Sequence, residues 1–553
     1  SHNYRKNNKK LKQFPLDCDL CLPGAAAIGI LPIESVIIPV VKQSCKWFVQ
    51  PYEVCEGIID QFRENFVYVF SRLAGHPSRI CAALMPHCGD PTDELGEGWK
   101  IDLPPLPANP LPSSVPPPRA SRLTKKQDKP DVLRVLQIGD THVDFSYQEG
   151  SEADCANPAC CRNMTYDKDG RVANSVSAGY WGTVGKCDIP FRTLEHMLKH
   201  ISEKEDISYI MISGDLINHV VWHYSWDDHV EVIRNMSSLF KKYFPITPTY
   251  WALGNHEGVP VDSFPTHQVD QKFWPTKLYD ELTKMNKPWV KEDSEESSRY
   301  RGSWSAVVTK GIRLISINTG YCVDTNIFLY LNQSDPDGTM SWFVEELRKA
   351  EERGEFVHVL AHIPSSANEC LEGWSRNYYR VIQRFSETIT AQFFGHMHYD
   401  YFTVFYEDMN DINSKPINVA FVSPSATTFG HLNPAYRIYT VDPLNTFRII
   451  DHETYFANLT TTSENIEPEW KLLYSAKKEF GMKDLTPSSW HDLAHSISTN
   501  ATLEERFVQL SYRTSSPVCD SSCRRELLCM LRSGHHNDGL YCPTNRLKTN
   551  RVN

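Results

Sequence analysis

Short apolar runs alternate with amphipathic segments over residues 131–455. The runs are rich in valine, isoleucine, leucine and aromatic residues and stop at glycine or polar positions, which is typical of buried β-strands. Six such strands are predicted, at Val132–Ile138, Ile207–Ser213, Thr249–Leu253, Ile312–Ile317, Phe356–Ala361 and Ala391–Phe394. Residues 190–203 and 338–353 carry apolar side chains at helical spacing and predict helices. This alternation indicates an α/β layered domain over residues 131–455.

Helical patterns lie on both sides of this domain. Residues 17–90 hold six cysteines and short amphipathic segments, in one of which Phe62, Phe66 and Phe70 recur at helical spacing. Residues 91–130 are rich in proline and predict a semi-rigid linker. Residues 456–553 predict a helical region with four cysteines near its end, and residues 1–16 form a basic tail. The chain is therefore expected to be multidomain.

Charge and hydropathy argue against two classes of protein. The 553 residues include 57 Lys and Arg against 68 Asp and Glu, a net charge of -11, which disfavours a nucleic-acid-binding protein. The longest apolar stretch, residues 25–41, is interrupted by Pro32, Glu34 and Pro39. It is shorter than the roughly 20 apolar residues that a membrane-spanning helix needs. We expect neither nucleic acid as a partner nor a transmembrane segment.

Sixteen cysteines and five Asn-x-Ser/Thr sequons indicate the secretory pathway. The sequons lie at Asn163, Asn235, Asn332, Asn458 and Asn500. The first residues are polar and basic without the apolar segment of a signal peptide, which is typical of a processed or recombinant mature form. The six cysteines of residues 17–90 allow fifteen pairings, and their spacing alone does not choose among them.

Five of the predicted strands run into residue types that bind metals. These are Asp140 and His142, Asp215, Asn255, His362, and His396 and His398. Because strand ends open onto one edge of a layered sheet, we expect the seven side chains to converge. Each residue alone could be a helix cap, a core histidine or a turn, but those roles give no reason for recurrence at five strand ends. Nitrogen and oxygen donors without thiolate suit zinc, manganese or iron.

Seven donors can hold two ions if one carboxylate bridges them, and such a pair is suited to in-line hydrolysis of a phosphoester. The ordered motifs Gly-Asp-x-His, Gly-Asp, Gly-Asn-His-Glu, a lone His and Gly-His-x-His resemble the calcineurin-type metallophosphoesterase family. The resemblance implies a β-sandwich flanked by helices. It assigns Asp140, His142, Asp215 and His398 to one metal and Asp215, Asn255, His362 and His396 to the other. It also places His256 where it can donate a proton to the departing alkoxide.

Nearly the whole chain resembles the acid sphingomyelinase family. The resemblance is carried by a saposin-like pattern in residues 17–90 and by the runs at residues 179–182, 186–188, 221–223, 391–396 and 423–428. It implies hydrolysis of sphingomyelin to ceramide and phosphocholine, two Zn²⁺ ions, and work at acidic pH in lysosomes or after secretion. The implied partners are a sphingomyelin bilayer surface and anionic lipids, approached by a monomer.

The same resemblance implies disulfide pairs and substrate contacts. The pairs are Cys18 with Cys88, Cys21 with Cys81, Cys45 with Cys55, Cys155 with Cys160, Cys161 with Cys187, Cys322 with Cys370, Cys519 with Cys523 and Cys529 with Cys542. His219 matches a position that faces the phosphate, and His223 could line the cleft beside it. Phe429 and Tyr321 are candidates for the aromatic wall that a choline group prefers.

Two other functions remain open. A secreted nucleotide phosphodiesterase would use the same catalytic core, although the six cysteines before the linker favour a lipid substrate. A non-catalytic saposin-type lipid-binding protein would have lost some of the seven metal-ligand candidates, and all are present. If the saposin-like helices contact a membrane, Phe62, Phe66 and Phe70 are expected to insert at the headgroup boundary.

Overall fold

The computed structural model describes residues 33–48, 51–84, 98–107, 132–163, 176–444, 446–515 and 519–542. Within these ranges the helices are α1 Ile38–Phe48, α2 Tyr52–Leu73, α3 Pro77–Leu84, α4 Phe191–Lys204, α5 Trp226–Tyr243, α6 Thr276–Asn286, α7 Glu295–Arg301, α8 Thr339–Arg353, α9 Glu372–Arg384, α10 Ala476–Phe480, α11 Pro487–Thr499, α12 Ala501–Ser511 and α13 Ser521–Met530. Local chemistry sets several ends. Ser225 caps α5 by accepting from the Asp228 N–H, and Gly354 ends α8 at φ 68°. None of the described helices combines the length and apolar character that a bilayer crossing requires.

The strands of the described ranges form two six-stranded sheets. They are β1 Leu133–Ile138, β2 Tyr209–Ile212, β3 Thr249–Trp251, β4 Trp304–Thr309, β5 Ile312–Ser316, β6 Phe356–Leu360, β7 Ile389–Phe394, β8 Tyr401–Tyr406, β9 Pro416–Val422, β10 Ala435–Val441, β11 Ile449–Phe456 and β12 Lys471–Ser475. The strand orders are β12-β11-β10-β1-β2-β3 and β4-β5-β6-β7-β9-β8. In the first sheet β1, β2 and β3 run parallel, as do β5, β6, β7 and β9 in the second, and the remaining neighbours are antiparallel.

The two sheets pack face to face around one apolar core. The rings of Tyr439 on β10 and Phe393 on β7 lie 4.8 Å apart across the interface. Polar contacts also join the sheets, because the Tyr209 hydroxyl on β2 lies 3.2 Å from Nδ1 of His358 on β6. Nε2 of His358 lies 2.8 Å from the Phe447 carbonyl oxygen. A neutral imidazole with its proton on Nε2 satisfies both partners, which is how a buried polar group is accommodated between sheets.

The six strands predicted from the sequence are confirmed, with ends that differ by a few residues. Six further strands, β4 and β8–β12, were not predicted. The C-terminal region is helical as expected, but residues 456–553 also contribute β12, which pairs with β11 at the edge of the first sheet. Residues 98–107, within the expected linker, pack on α9, where the Ile101 N–H donates to Asn377 Oδ1 at 2.8 Å.

The N-terminal helices pack against the rest of the molecule. A Cβ at Gly57 on α2 would lie 2.6 Å from the Trp222 carbonyl oxygen, so this glycine permits the close approach of the two segments. Asn65 Nδ2 on the same helix donates to Ser263 Oγ at 3.0 Å. The Tyr68 hydroxyl accepts from the Asp270 N–H at 2.9 Å. Helix α2 is therefore docked onto the domain that contains the two sheets through both shape and hydrogen bonds.

This docking changes the expectation for the phenylalanines of α2. Phe70 is only 3% exposed. Phe66 stacks on it with ring centroids 4.1 Å apart, and Phe62 packs against the main core. Phe70 is therefore not available to insert into a membrane, contrary to expectation, and Phe62 and Phe66 are half-buried. Among the side chains described in residues 33–84, the large apolar ones that are exposed are Val36, Val40, Val41 and Ile58.

Six disulfides are present in the described residues. They join Cys45 with Cys55, Cys155 with Cys160, Cys161 with Cys187, Cys322 with Cys370, Cys519 with Cys523 and Cys529 with Cys542. These are the pairs that the family resemblance implies. Cys18, Cys21 and Cys88 lie outside the described residues, and with them the two other expected pairs.

Candidate metal centre

The carboxyl ends of the parallel strands of both sheets meet at one edge of the sandwich. Asp140 follows β1, Asp215 follows β2 and Asn255 follows β3 in the first sheet. His362 follows β6 and His396 follows β7 in the second. Because both sheets supply their strand ends to the same edge, the side chains converge between them.

One group of donors consists of Asp215, Asn255, His362 and His396. His362 Nε2 lies 3.1 Å from Asp215 Oδ2 and 2.9 Å from Asn255 Oδ1. His396 Nδ1 lies 3.0 Å from Asn255 Oδ1. The amide is oriented by Asp262, whose Oδ1 accepts from Asn255 Nδ2 at 2.9 Å and so leaves the Asn255 oxygen facing the histidines.

The second group shares Asp215 and adds Asp140, His142 and His398. His142 Nε2 lies 3.4 Å from Asp215 Oδ2 and 3.1 Å from His398 Nε2. His398 Nε2 lies 3.7 Å from Asp140 Oδ1. Atoms that bind one tetrahedral zinc ion at about 2.1 Å lie about 3.4 Å from one another. Both groups therefore have the spacing that ligands of a common ion require.

An unpartnered carboxylate oxygen further fits a metal. Asp140 is fully buried, and its Oδ2 has no hydrogen-bond partner among the described residues. A buried carboxylate oxygen without a partner is costly unless a cation neutralises it. The glycine before His396 keeps the space open, because a Cβ at Gly395 would lie 2.6 Å from this oxygen. The donor set accordingly fits divalent ions.

The backbone of this centre is strained. Asp140, His142, Asp215, His396 and His398 all have positive φ, between 39° and 71°. Non-glycine residues rarely adopt this left-handed conformation, which costs on the order of 1 kcal/mol or more per residue. The fold therefore holds these five side chains in place against a local conformational preference, which is typical of functional sites.

The centre carries opposing charges. Burial opposes ionisation of Asp215, but the neighbouring histidines outweigh it and hold the pKa of this carboxyl well below its ordinary value. Burial likewise works against protonation of His142 and His362, yet the contact with Asp215 raises the pKa of each to about 9. In the absence of an ion, the charge of Asp215 thus favours protonation of the histidine nitrogens around it. Those protons supply the positive charge that a bound cation would otherwise supply.

Glu257 links two of the ligand-bearing turns. Its carboxylate accepts from the backbone N–H groups of Asp215 at 2.9 Å, Leu216 at 2.7 Å and Gly254 at 2.6 Å. Burial and the nearby charge of Asp215 raise the pKa of Glu257. The side chain therefore fixes the turns after β2 and β3 relative to each other.

Two further histidines lie beside the metal-ligand candidates. His219 stacks between His142 and Phe429, with ring centroids 3.9 Å from each. Its Nδ1 lies 2.8 Å from Asp188 Oδ1, and its backbone N–H donates to the same carboxylate at 2.7 Å. Burial lowers the pKa of His219, although Asp188 acts in the opposite direction. Its imidazole is thus anchored at Nδ1, with 15% of the side chain exposed at the entrance of the centre.

His256 lies on the other side of His142, with ring centroids 4.7 Å apart. Its Nδ1 lies 2.7 Å from the hydroxyl of Tyr224, and burial lowers its pKa well below the ordinary value. Two histidines are therefore next to the donor groups without belonging to the predicted ligand set, as the sequence predicted for His219 and His256.

Comparisons with known proteins identify this arrangement. A family model described as calcineurin-like phosphoesterase matches residues 133–400, and one described as acid sphingomyelin phosphodiesterase C-terminal region matches residues 410–543. The chain is 52% identical to sphingomyelin phosphodiesterase 1 of Caenorhabditis elegans, over 92% of this chain and 89% of that protein. It belongs to the sphingomyelin phosphodiesterase family.

The chain is also similar to two more distant relatives. The human sphingomyelin phosphodiesterase is 36% identical over 89% of this chain and 76% of its own length. The human protein named cyclic GMP-AMP phosphodiesterase SMPDL3A is 28% identical over 73% of this chain and 88% of its own length. The metallophosphoesterase fold implies divalent metal ions, and the described residues of this family member include side-chain groups that could hold them.

The structure places the remaining predicted site residues differently from one another. Phe429 lies at the centre through its stack on His219. Tyr321 is fully buried, and its hydroxyl donates to Asp337 Oδ2 at 2.9 Å, so its ring offers no surface to a choline group, contrary to expectation. His223 is exposed on the short helix Val221–His223. The five sequon asparagines are exposed or half-buried.

Several residues of the centre were missed by the sequence reasoning. Glu369 contacts Nε2 of His396, and Arg513 donates to the His398 carbonyl oxygen at 2.6 Å. Asp188, Asp262 and Tyr224 orient other side chains of the site, as described above. Only Asp188 stood in a motif that the sequence had singled out. The others follow no strand and have no characteristic spacing, so no signal in the sequence pointed to them.

Proposed function

We propose that this protein hydrolyses sphingomyelin to ceramide and phosphocholine with two zinc ions. Asp140, His142, Asp215 and His398 would hold one ion, and Asp215, Asn255, His362 and His396 the other. The observation that carries this proposal is the convergence of these donors at ligand spacing, with the orphaned Asp140 Oδ2 between them. When bound, the ions activate water and stabilise charge on the phosphoryl group.

The residues beside the ions divide the remaining tasks. His256 donates a proton to the departing ceramide oxygen, since an alkoxide is a poor leaving group without an acid. His219 contacts the phosphoryl oxygens, and its Nδ1 contact with Asp188 keeps the other ring nitrogen directed to the substrate. Phe429, which stacks on His219, provides an aromatic face that contacts the quaternary ammonium of the choline group.

The N-terminal helices serve as a saposin-like lipid-binding module. Helices α1–α3, the Cys45–Cys55 disulfide and the exposed Val40 and Val41, at 60% and 41% exposure, support this role. Exposed apolar side chains on an amphipathic helix are suited to the headgroup boundary of a bilayer. The disulfides and exposed sequons support a lysosomal or secreted location, where thiols are oxidised and asparagines are glycosylated.

The substrate assay compares sphingomyelin vesicles with nucleoside triphosphates at acidic pH. We expect turnover of sphingomyelin and little turnover of the nucleotides, and the reverse preference would establish a nucleotide phosphodiesterase, in keeping with the SMPDL3A relative. His256→Ala should slow sphingomyelin cleavage by about 100-fold to 10,000-fold, the usual range for a lost general acid, with bound metal unchanged. Its effect on a p-nitrophenyl phosphodiester should be small, because that leaving group needs no proton.

The membrane role has its own test. Val40→Asp should lose most activity on detergent-free sphingomyelin vesicles and keep it on mixed detergent micelles. Val307 on β4, which is 40% exposed, provides a matched control, and Val307→Asp should retain activity on both. If the two variants behaved alike, lipid docking through α1 would be excluded.

A further inference from the structure

His256 is held by three contacts, two to its main chain and one to its ring. Its backbone N–H donates to Asp215 Oδ1 at 2.9 Å. Nε2 of the buried His229 lies 3.1 Å from the His256 carbonyl oxygen. The third contact, between Nδ1 of His256 and the Tyr224 hydroxyl at 2.7 Å, is the only one of the three that involves the His256 ring. The main chain is therefore fixed by Asp215 and His229, and the ring by Tyr224.

The hydrogen-bond directions in this chain are determined by chemistry. The Tyr224 hydroxyl also contacts the carbonyl oxygen of Asn218, which can only accept. A phenol carries one proton, so that proton goes to Asn218. The hydroxyl oxygen is then left as an acceptor, and Nδ1 of His256 must donate to it. The geometry thus requires the proton of neutral His256 to be on Nδ1.

We propose that Tyr224 is a positioning residue that fixes the tautomer of His256, so that Nε2 is the nitrogen that delivers the proton to the leaving group. This proposal rests on the proton-donor role suggested above for His256. The donor is the ring with both nitrogens protonated: as the bond between phosphorus and the ceramide oxygen breaks, its Nε2 proton passes to that oxygen. His256 is left neutral with its proton on Nδ1, which is the state that Tyr224 stabilises, and Nε2 is recharged from solvent.

The partner of the second histidine explains why a phenol is used. Nδ1 of His219 faces the carboxylate of Asp188, which accepts a hydrogen bond and places a negative charge beside the ring. A phenol oxygen instead accepts a hydrogen bond without adding a negative charge. It therefore orients His256 while leaving its proton free to depart. Both partners therefore orient a ring nitrogen, and only the partner of His256 does so without adding a charge.

The test uses Tyr224→Phe in the full, metal-loaded chain. Phenylalanine keeps the ring, which packs 4.7 Å from His229, and removes the acceptor. We expect kcat on sphingomyelin in detergent micelles to fall about 10-fold, the scale of one lost hydrogen bond to a charged group, with KM little changed. Turnover of the p-nitrophenyl phosphodiester should be unchanged. Tyr243→Phe is the matched control, because this hydroxyl contacts Glu195 at the far end of α5.

A spectroscopic measurement separates this proposal from the proposed function. ¹⁵N shifts of labelled histidine distinguish protonated from unprotonated ring nitrogens, and His256→Ala identifies the His256 signal. At neutral pH we expect a protonated Nδ1 in the parent and a mixture of tautomers in Tyr224→Phe. An unchanged His256 signal in that variant, or equal slowing of both substrates, would overturn the proposal. Failure to cleave sphingomyelin would refute the proposed function and leave the tautomer result to stand by itself.

Discussion

The buried His358 should make the fold less stable in acid, and replacing it with glutamine should remove that effect. His358 is 1% exposed between the two sheets, and burial lowers its pKa to about 4. Glutamine offers the same pair of contacts, since its oxygen can accept from Tyr209 and its amide can donate to the Phe447 carbonyl. The substitution His358→Gln therefore preserves the hydrogen bonds and removes the titration.

The direction and magnitude of the change in stability with pH follow from the shift in the pKa of His358. An unfolded histidine titrates near pH 6.5, so between about pH 6.5 and 4 the unfolded chain binds a proton that folded His358 does not. The stability contributed by neutral His358 is complete above that range and is lost as the pH falls through it. From pH 7 to pH 4.5 the loss is about 2.5 kcal/mol, because each unit of pKa shift corresponds to about 1.4 kcal/mol.

The assay is urea unfolding, followed by tryptophan fluorescence, of the parent and His358→Gln at pH 7 and pH 4.5. The parent midpoint should fall more than the variant midpoint on acidification, and the difference between the two falls reports His358 alone. Similar midpoints at pH 7 would show that glutamine reproduces the native contacts. If both proteins lost the same stability between the two pH values, the reasoning about this buried histidine would be refuted.

Three other outcomes are expected. Asp215→Asn should abolish hydrolysis and lower bound metal in elemental analysis, because both ions would lose an anionic ligand; two retained ions with full activity would contradict the shared-ligand assignment. Acidification should release metal, measured by equilibrium dialysis, because the pKa values of about 9 for ion-free His142 and His362 mean that protons compete with the ion. Gly57→Val should loosen α2, seen as faster proteolysis of the N-terminal helices, because its Cβ would clash with Trp222; an unchanged rate of proteolysis would contradict the close packing of α2 on Trp222.

The convergence of the metal-ligand candidates could be predicted from the sequence because their positions follow from a simple rule. Residues after parallel strands meet at one edge, so strand prediction was enough to bring Asp215 and His362 together. Six strands were not predicted from the sequence because strand pairing is not a local property of the chain. β10 lies beside β1, from which it is separated by most of the domain, and no local pattern records that register.

Side-chain direction was the other limit of the sequence. Tyr321 and Phe429 are both aromatic and follow strands, yet one ring is buried in the core and the other stacks at the centre. The same limit affected the apolar face of α2, where Phe70 packs in a cluster with Val269 and Phe328 of the domain that contains the two sheets. Periodicity identifies an apolar face, but it does not distinguish burial against a neighbouring domain from exposure to lipid.

The left-handed conformations at Asp140, His142, Asp215, His396 and His398 also bear on how this enzyme could be engineered. Each residue occupies a backbone conformation that glycine or asparagine adopts at a lower energetic cost, so selection for thermal stability alone would favour replacing these metal-ligand candidates. Engineering of variants with higher thermal stability should therefore leave these five positions unchanged. A search for clustered non-glycine residues with positive φ, made without reference to side-chain identity, would find the same residues. Such a search could therefore locate similar centres in proteins whose sequence motifs have diverged.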